Sequence, residues 1–167
     1  METKFYEFSQ NNTGGSFVTN DKLCHRIFIE ATTESEAVQK AEDLGCYWNG
    51  VNDGNDCPCC GDRWYASPDE IDLSRWQKDG YTVGVYDHYK NAEKLWFEKF
   101  GQYPRIEEPK WRTQYGSRKF EGKIFFNTVE EYAQYLADDY GWTTPDARIF
   151  YLNGTVSEVF KRALAGV

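Results

Sequence analysis

Residues 56 to 64 read D-C-P-C-C-G-D-R-W, which places three of the chain's five cysteines inside four positions. Cys57-Pro58-Cys59-Cys60-Gly61 fits C-P-x-C-G, the form of a zinc knuckle. Proline and glycine fold a tight turn that aims the first and last thiolates at one ion. A structural zinc needs four such ligands in a tetrahedron. On this pattern Cys57 and Cys60 bind and Cys59 points away. No second C-x-x-C exists, so the remaining ligands are sought at Cys24, His25, Cys46 or His88. The candidate set for a structural zinc is therefore Cys57, Cys60, Cys46 and Cys24. The competing reading is a tight loop with buried small thiols. A C-x-x-C redox role is weaker, because no helix N-terminus clearly follows to lower a thiol pKa.

A second group of residues suits a small ligand rather than a metal. S-Q-N-N-T-G-G-S-F (Ser9–Phe17) offers backbone N–H groups at adjacent glycines, with amide and hydroxyl side chains beside them. Asn11, Asn12, Gly14, Gly15, Ser16 and Phe17 are its candidate ligand-binding residues, since such a loop approaches a phosphate or a base edge closely. It is no P-loop, because no G-K-[ST] follows; a plain hairpin loop is the alternative. Lys110-Trp111-Arg112, Tyr115, Arg118-Lys119-Phe120 and Lys123 interleave cations with rings inside an acidic chain. Rings stack on bases and cations meet phosphates, so Trp111, Arg112 and Arg118 join the list. An edge hairpin guarded by lysines would look the same. Arg63-Trp64 is a second cation–aromatic pair, and Trp48 opens the loop that carries it.

Catalytic chemistry has little support. His25 and His88 are the only histidines, neither lies in a hydrolase or metalloprotease motif, and no G-x-S-x-G is present. Asp53-Gly54-Asn55-Asp56 hints at a calcium loop but lacks the later glutamate of an EF-hand. The expectation is a binding protein, not an enzyme.

These residues need elements to position them. Lys4–Phe8 alternates as a strand, and Cys24–Ala31 reads as a second. Thr33-Glu34-Ser35-Glu36 is a capping box opening a helix that ends at Gly45. The loop from Cys46 to Asp62 is long for a compact domain, a length usually functional or metal-braced. Ser67-Pro68-Asp69-Glu70 reads as a helix start, Tyr81–Tyr86 as a strand and Asn91–Phe100 as a helix. Lys123–Trp142 repeats the strand, capped helix, glycine and Trp order of Arg26–Trp48. Duplication and chance punctuation both fit. Arg148–Val156 is a strand with an Asn153-Gly154 turn, and Ser157–Leu164 fits a strand or a helix, with the helix preferred. The fold class expected is α+β, a largely antiparallel sheet with packed helices. It forms one domain over residues 1–167, with sub-lobes at 1–76 and 77–167.

Composition bounds the partners. Aromatics make up 17% of the 167 residues, enough for a core with rings left over for half-wet surfaces. A net charge of −8 argues against a long nucleic acid, whose binding needs many phosphates neutralised. It leaves room for a small anion held by two or three arginines. The N-terminus lacks a basic region followed by an apolar run, so a soluble, cytoplasmic protein with reduced thiols is expected.

The segments S-Q-N-N-T-G-G-S-F and C-Y-W-N-G-V-N-D-G-N-D-C-P-C-C-G-D-R-W resemble a signature of small, mostly uncharacterised tailed-bacteriophage proteins. The resemblance covers about the first seventy residues. It implies a phage-encoded accessory protein acting in the host cytosol, as an anti-defence factor. One expectation is a sponge of the anti-CBASS type, an oligomer that sequesters a cyclic nucleotide immune signal without cleaving it. The other is a zinc-braced interaction module that binds and inhibits a host protein.

Overall fold

The structure is a computed structural model describing residues 2–141 and 144–162. In chain order its strands and helices are β1 (Lys4–Ser9), β2 (Arg26–Ala31), α1 (Glu34–Leu44), β3 (Asp69–Glu70), α2 (Leu73–Asp79) and β4 (Tyr81–Tyr86). They continue with α3 (Ala92–Phe100), β5 (Ile106–Gln114), β6 (Ser117–Ile124), α4 (Val129–Tyr140), β7 (Ala147–Phe150) and β8 (Val156–Val159). Among the described residues this is a mixed α+β fold with antiparallel-rich sheets and no closed barrel. No described helix is long and apolar enough to cross a membrane.

Two compact units divide the chain. One comprises the described residues up to Ile71 together with Ala133–Arg162; the other is Asp72–Tyr132. The second unit is thus inserted into the first, rather than following it as a linear pair of sub-lobes would.

The first unit holds a five-stranded sheet in the order β3-β1-β2-β7-β8. All its pairings are antiparallel except β2 with β7. Ile27, Ile29 and Ala31 of β2 meet Ala37 and Ala41 of α1 in a core that also holds Tyr6, Phe8, Leu23 and Trp64. Burying an apolar side chain of this size stabilises by about 1.5–3 kcal/mol. The cap of α1 forms as the sequence predicts: Thr33 Oγ1 accepts from the Glu36 backbone N–H. Glu36 in turn reaches back to the backbone N–H of Thr32. At α4 the same chemistry recurs, with Thr128 Oγ1 accepting from Glu131 N–H and Glu131 accepting from Asn127 N–H. Trp142, which completed the repeat pattern, lies outside the described residues.

Two element expectations are corrected. Ser67–Glu70 does not open a helix: Asp69 and Glu70 pair with Glu7 and Tyr6 as β3, and Asp72 caps α2 instead by accepting from Arg75 N–H. The tail from Ser157 is not helical where described. Val156–Val159 pairs with Ala147–Phe150 across the Asn153-Gly154 turn, so a hairpin satisfies its backbone; Leu164 lies outside the described residues.

The second unit is built on a three-stranded antiparallel sheet in the order β4-β6-β5. Trp96 of α3 is fully buried and donates its indole N–H to the Val83 carbonyl at 3.1 Å. Such buried indoles need a partner. β5 and β6 join through Tyr115 and Gly116, both at positive φ (51° and 79°), the geometry of a two-residue hairpin turn. Tyr115 is 97% exposed there.

Candidate metal centre

The long loop from Cys46 to Asp62 contains no helix or strand, yet it is anchored by buried polar groups. Asp56 lies at its centre with its carboxylate fully enclosed. One oxygen accepts from Tyr47 Oη and the other from the Arg63 backbone N–H, both at 2.8 Å. The Asn55 and Asp56 N–H groups both donate to the Gly50 carbonyl. Only glycine fits there, because a Cβ on residue 50 would sit 1.8 Å from Asp56 Oδ2 and 2.8 Å from Tyr47 Cε2. Burial and the Asp56 hydrogen bond together push the Tyr47 hydroxyl above its ordinary pKa.

Arg63 ties this loop to the glycine-rich loop. Its guanidinium donates to Gln10 Oε1 at 2.7 Å, to the Ser16 carbonyl at 2.9 Å and to the Thr13 carbonyl at 3.1 Å. Its Nε lies 3.8 Å from Asp56. Gln10 completes the knot by donating to the Val18 and Cys24 carbonyls. Asn11 Nδ2 donates to the carbonyls of Cys60 and Asp62, and the Cys57 N–H donates to Thr13 Oγ1. Arg63 Nε makes no hydrogen bond, but the other groups named in this knot are partnered, and satisfied buried polar networks are rigid.

On this frame stands the cysteine turn. Cys60 and Gly61 N–H groups both donate to the Cys57 carbonyl. The sulfurs of Cys57, Cys59 and Cys60 lie within 4.8 Å of one another. Cys57 Sγ is 2.8 Å from Cys59 Sγ, and Cys59 Sγ is 3.6 Å from Cys60 Sγ. The Cys59 thiol, followed by the Cys59 backbone N–H and the Cys60 thiol, lowers the Cys57 pKa. The counterpart is Cys59, pushed up to about 11 by its hydrogen bond to Cys57. The three thiols are half-buried at Cys57 and exposed at Cys59 and Cys60. They are close enough to hold a metal ion, and thiolates suit a soft or borderline one.

The thiols that the fold brings together differ from the set the spacing predicted. Cys59 does not point away; it joins the cluster. Cys46 and Cys24 lie instead in the hydrophobic core. Burial pushes their thiols up to about 12 and about 11, away from the thiolate form that a metal takes. Cys24 further donates to the Arg26 carbonyl.

The predicted small-ligand residues fall into three environments. Arg63 is committed to the loop knot, and Trp64, 1% exposed, is a core residue; neither forms an open pocket wall. Trp48 stacks on Phe8 with centroids 6.1 Å apart, and Phe17 stacks on His25 at 4.0 Å. Gly14, Gly15 and Ser16 are exposed, while Asn12 Oδ1 is buried without a hydrogen-bond partner. Trp111, Arg112 and Arg118 belong to the second unit. There Arg118 lies 4.6 Å over the Trp111 ring and Arg112 pairs with Glu121 at 3.6 Å. Trp111 also borders a cavity of about 470 Å³ with Asp87, Tyr89, Asn91, Ala92, Glu93 and Lys94.

Sequence reasoning missed Gln10, Thr13, Gly50 and Asp56 as parts of the site. Their partners lie far along the chain or depend on a close approach, which a short motif does not encode.

A family described as a domain of unknown function, DUF7296, matches residues 3–108. The chain belongs to the DUF7296 family. No curated protein and no solved structure gives a significant match. The stretch matched by DUF7296 contains the glycine-rich loop, the whole cysteine loop and α3, and it ends before Trp111, Arg112 and Arg118.

Proposed function

We propose that this chain is a non-enzymatic interaction module whose exposed cysteine turn is braced by a zinc ion on Cys57, Cys59 and Cys60. The observation carrying the reading is the convergence of three thiols at the surface of a loop otherwise fixed by Asp56, Arg63 and Asn11. The three sulfurs, half-buried at Cys57 and exposed at Cys59 and Cys60, take no part in the hydrogen bonds that fix the loop. Bound zinc would hold the turn as a rigid docking surface, and the module would act by occupying a host protein in the cytosol, in line with the resemblance to phage accessory proteins. Protein purified without chelators tests the brace: elemental analysis should find about one zinc per chain, lost on replacing Cys57, Cys59 and Cys60 with serine. Metal-free protein that takes up no zinc at neutral pH would refute it.

A second reading rests on Trp111 and Arg118. An exposed guanidinium stacked on a half-buried indole beside a cavity supports sequestration of a cyclic nucleotide, with the ring stacking on a base and the cation meeting phosphate. Asp87 and Glu93 in the same lining oppose phosphate there, so the geometry favours the thiol reading. Calorimetry with cyclic di- and trinucleotides decides this one. Binding that disappears in Trp111→Ala supports it, and a panel without heat excludes it.

A further inference from the structure

The thiol cluster has three donors, whereas zinc sites are almost always four-coordinate. Among the described residues no fourth Cys, His, Asp or Glu joins the group. The residues outside the description (Met1, Trp142, Thr143 and 163–167) include none of these four types. The core keeps Cys24 and Cys46, and His25 is held by Asp146 at 3.2 Å and by its stack on Phe17. Nor can the turn fold inward to find them. Asn11 fixes the Cys60 carbonyl and Thr13 fixes the Cys57 N–H.

We propose that an ion on Cys57, Cys59 and Cys60 keeps one exchangeable position facing solvent, and that this position takes a histidine imidazole from a second copy of the chain or from another protein. The inference rests on the thiolate reading above and adds what the centre is for. An open fourth position is also the mark of hydrolytic zinc, but charge argues against that use here. Three thiolates on a divalent ion leave one net negative charge, whereas the sites that acidify bound water surround zinc largely with neutral imidazoles. The same charge selects the incoming ligand. A fourth thiolate or a carboxylate would add a second negative charge on a chain that already carries −8, whereas imidazole is neutral and a common zinc ligand. The chain itself offers one such group: His88, in the turn after β4, is exposed although its ring packs against Tyr86 and Tyr89.

Cobalt(II) in place of zinc makes the position visible, because its d–d absorption reports coordination and its thiolate charge-transfer band reports the three sulfurs. Free imidazole added to the cobalt-loaded chain should shift the d–d band saturably while the charge-transfer band persists. A d–d band indifferent to imidazole would overturn the open position, as would imidazole that strips the metal. Failure to form any cobalt–thiolate band would instead refute the thiolate reading beneath it. Size-exclusion chromatography with and without zinc separates the two sources. Zinc-dependent association lost in His88→Ala assigns the imidazole to a second copy. A cobalt site responsive to imidazole in a chain that stays monomeric with zinc rules out the second copy as the source.

Discussion

Asp56 and Arg63 bracket the cysteine turn: the Asp56 carboxylate accepts the Arg63 backbone N–H at 2.8 Å, and the Arg63 Nε lies 3.8 Å from the same carboxylate. The six residues between them are closed off by one buried acid, while the arginine's remaining donors reach the glycine-rich loop. The turn is presented by this pair, so its geometry depends on residues that never touch a metal.

Removing the acid should therefore cost more than removing a thiol. Asp56→Ala leaves Arg63 N–H and Tyr47 Oη without their acceptor and the guanidinium without its counter-charge. Breaking a buried pair in this way costs about 3–5 kcal/mol. Urea unfolding of the metal-free chain should show the midpoint falling with the slope unchanged, whereas Cys59→Ser, at an exposed position, should leave the midpoint where it was.

Gly50→Ala tests the close approach without altering any hydrogen-bonding group. The added methyl would lie 1.8 Å from Asp56 Oδ2, and Asp56 is pinned by Tyr47 and Arg63. Overpacking of this kind costs about 1–3 kcal/mol. Thermal unfolding should show the loss; an unchanged Tm would mean that the frame is slack.

Much of the scaffold was legible because it depends on local chemistry. Thr33 with Glu36 and Thr128 with Glu131 announce their helices through caps closed within four residues. Tyr81–Tyr86 alternates and is β4. The failures share a cause. Ser67-Pro68-Asp69-Glu70 carries a helix-start pattern, but pairing with β1, some sixty positions earlier, outweighs it. Arg63-Trp64 looks like an exposed cation and ring, yet Gln10, Thr13 and Ser16 supply acceptors that draw the arginine inward. The C-x-x-C pattern points Cys59 outward and says nothing of a third sulfur 2.8 Å from the first.

Cys57 and Cys59 should titrate apart in the metal-free chain. The Cys57 pKa is lowered by its neighbours, so its alkylation rate should rise with pH below the ordinary thiol range and level off first. Cys59, pushed up to about 11, should gain reactivity only in strong alkali, with Cys24 and Cys46 protected by burial throughout. Zinc affinity should fall as pH falls, because protons compete for the thiolates. Mass-spectrometric mapping of iodoacetamide adducts across a pH series reads the order. Labelling of Cys46 before Cys57 would contradict it.

Tyr115 occupies a left-handed position that asparagine or glycine would fill with less strain. Since its ring is almost wholly exposed, Tyr115→Asn should stabilise the chain by about 1 kcal/mol. Thermal unfolding measures this; a fall in Tm would mean that the ring contributes contacts to the folded chain.

The central claim is that Cys57, Cys59 and Cys60, and not the core cysteines, hold the metal. Zinc titration against a chromophoric chelator, run on the wild-type chain and on single serine variants, tests it most directly. The account predicts one zinc per chain, with affinity reduced at least tenfold in Cys57→Ser, Cys59→Ser and Cys60→Ser and unchanged in Cys46→Ser; tenfold corresponds to about 1.4 kcal/mol. Wild-type affinity in Cys59→Ser together with its loss in Cys46→Ser would contradict the account.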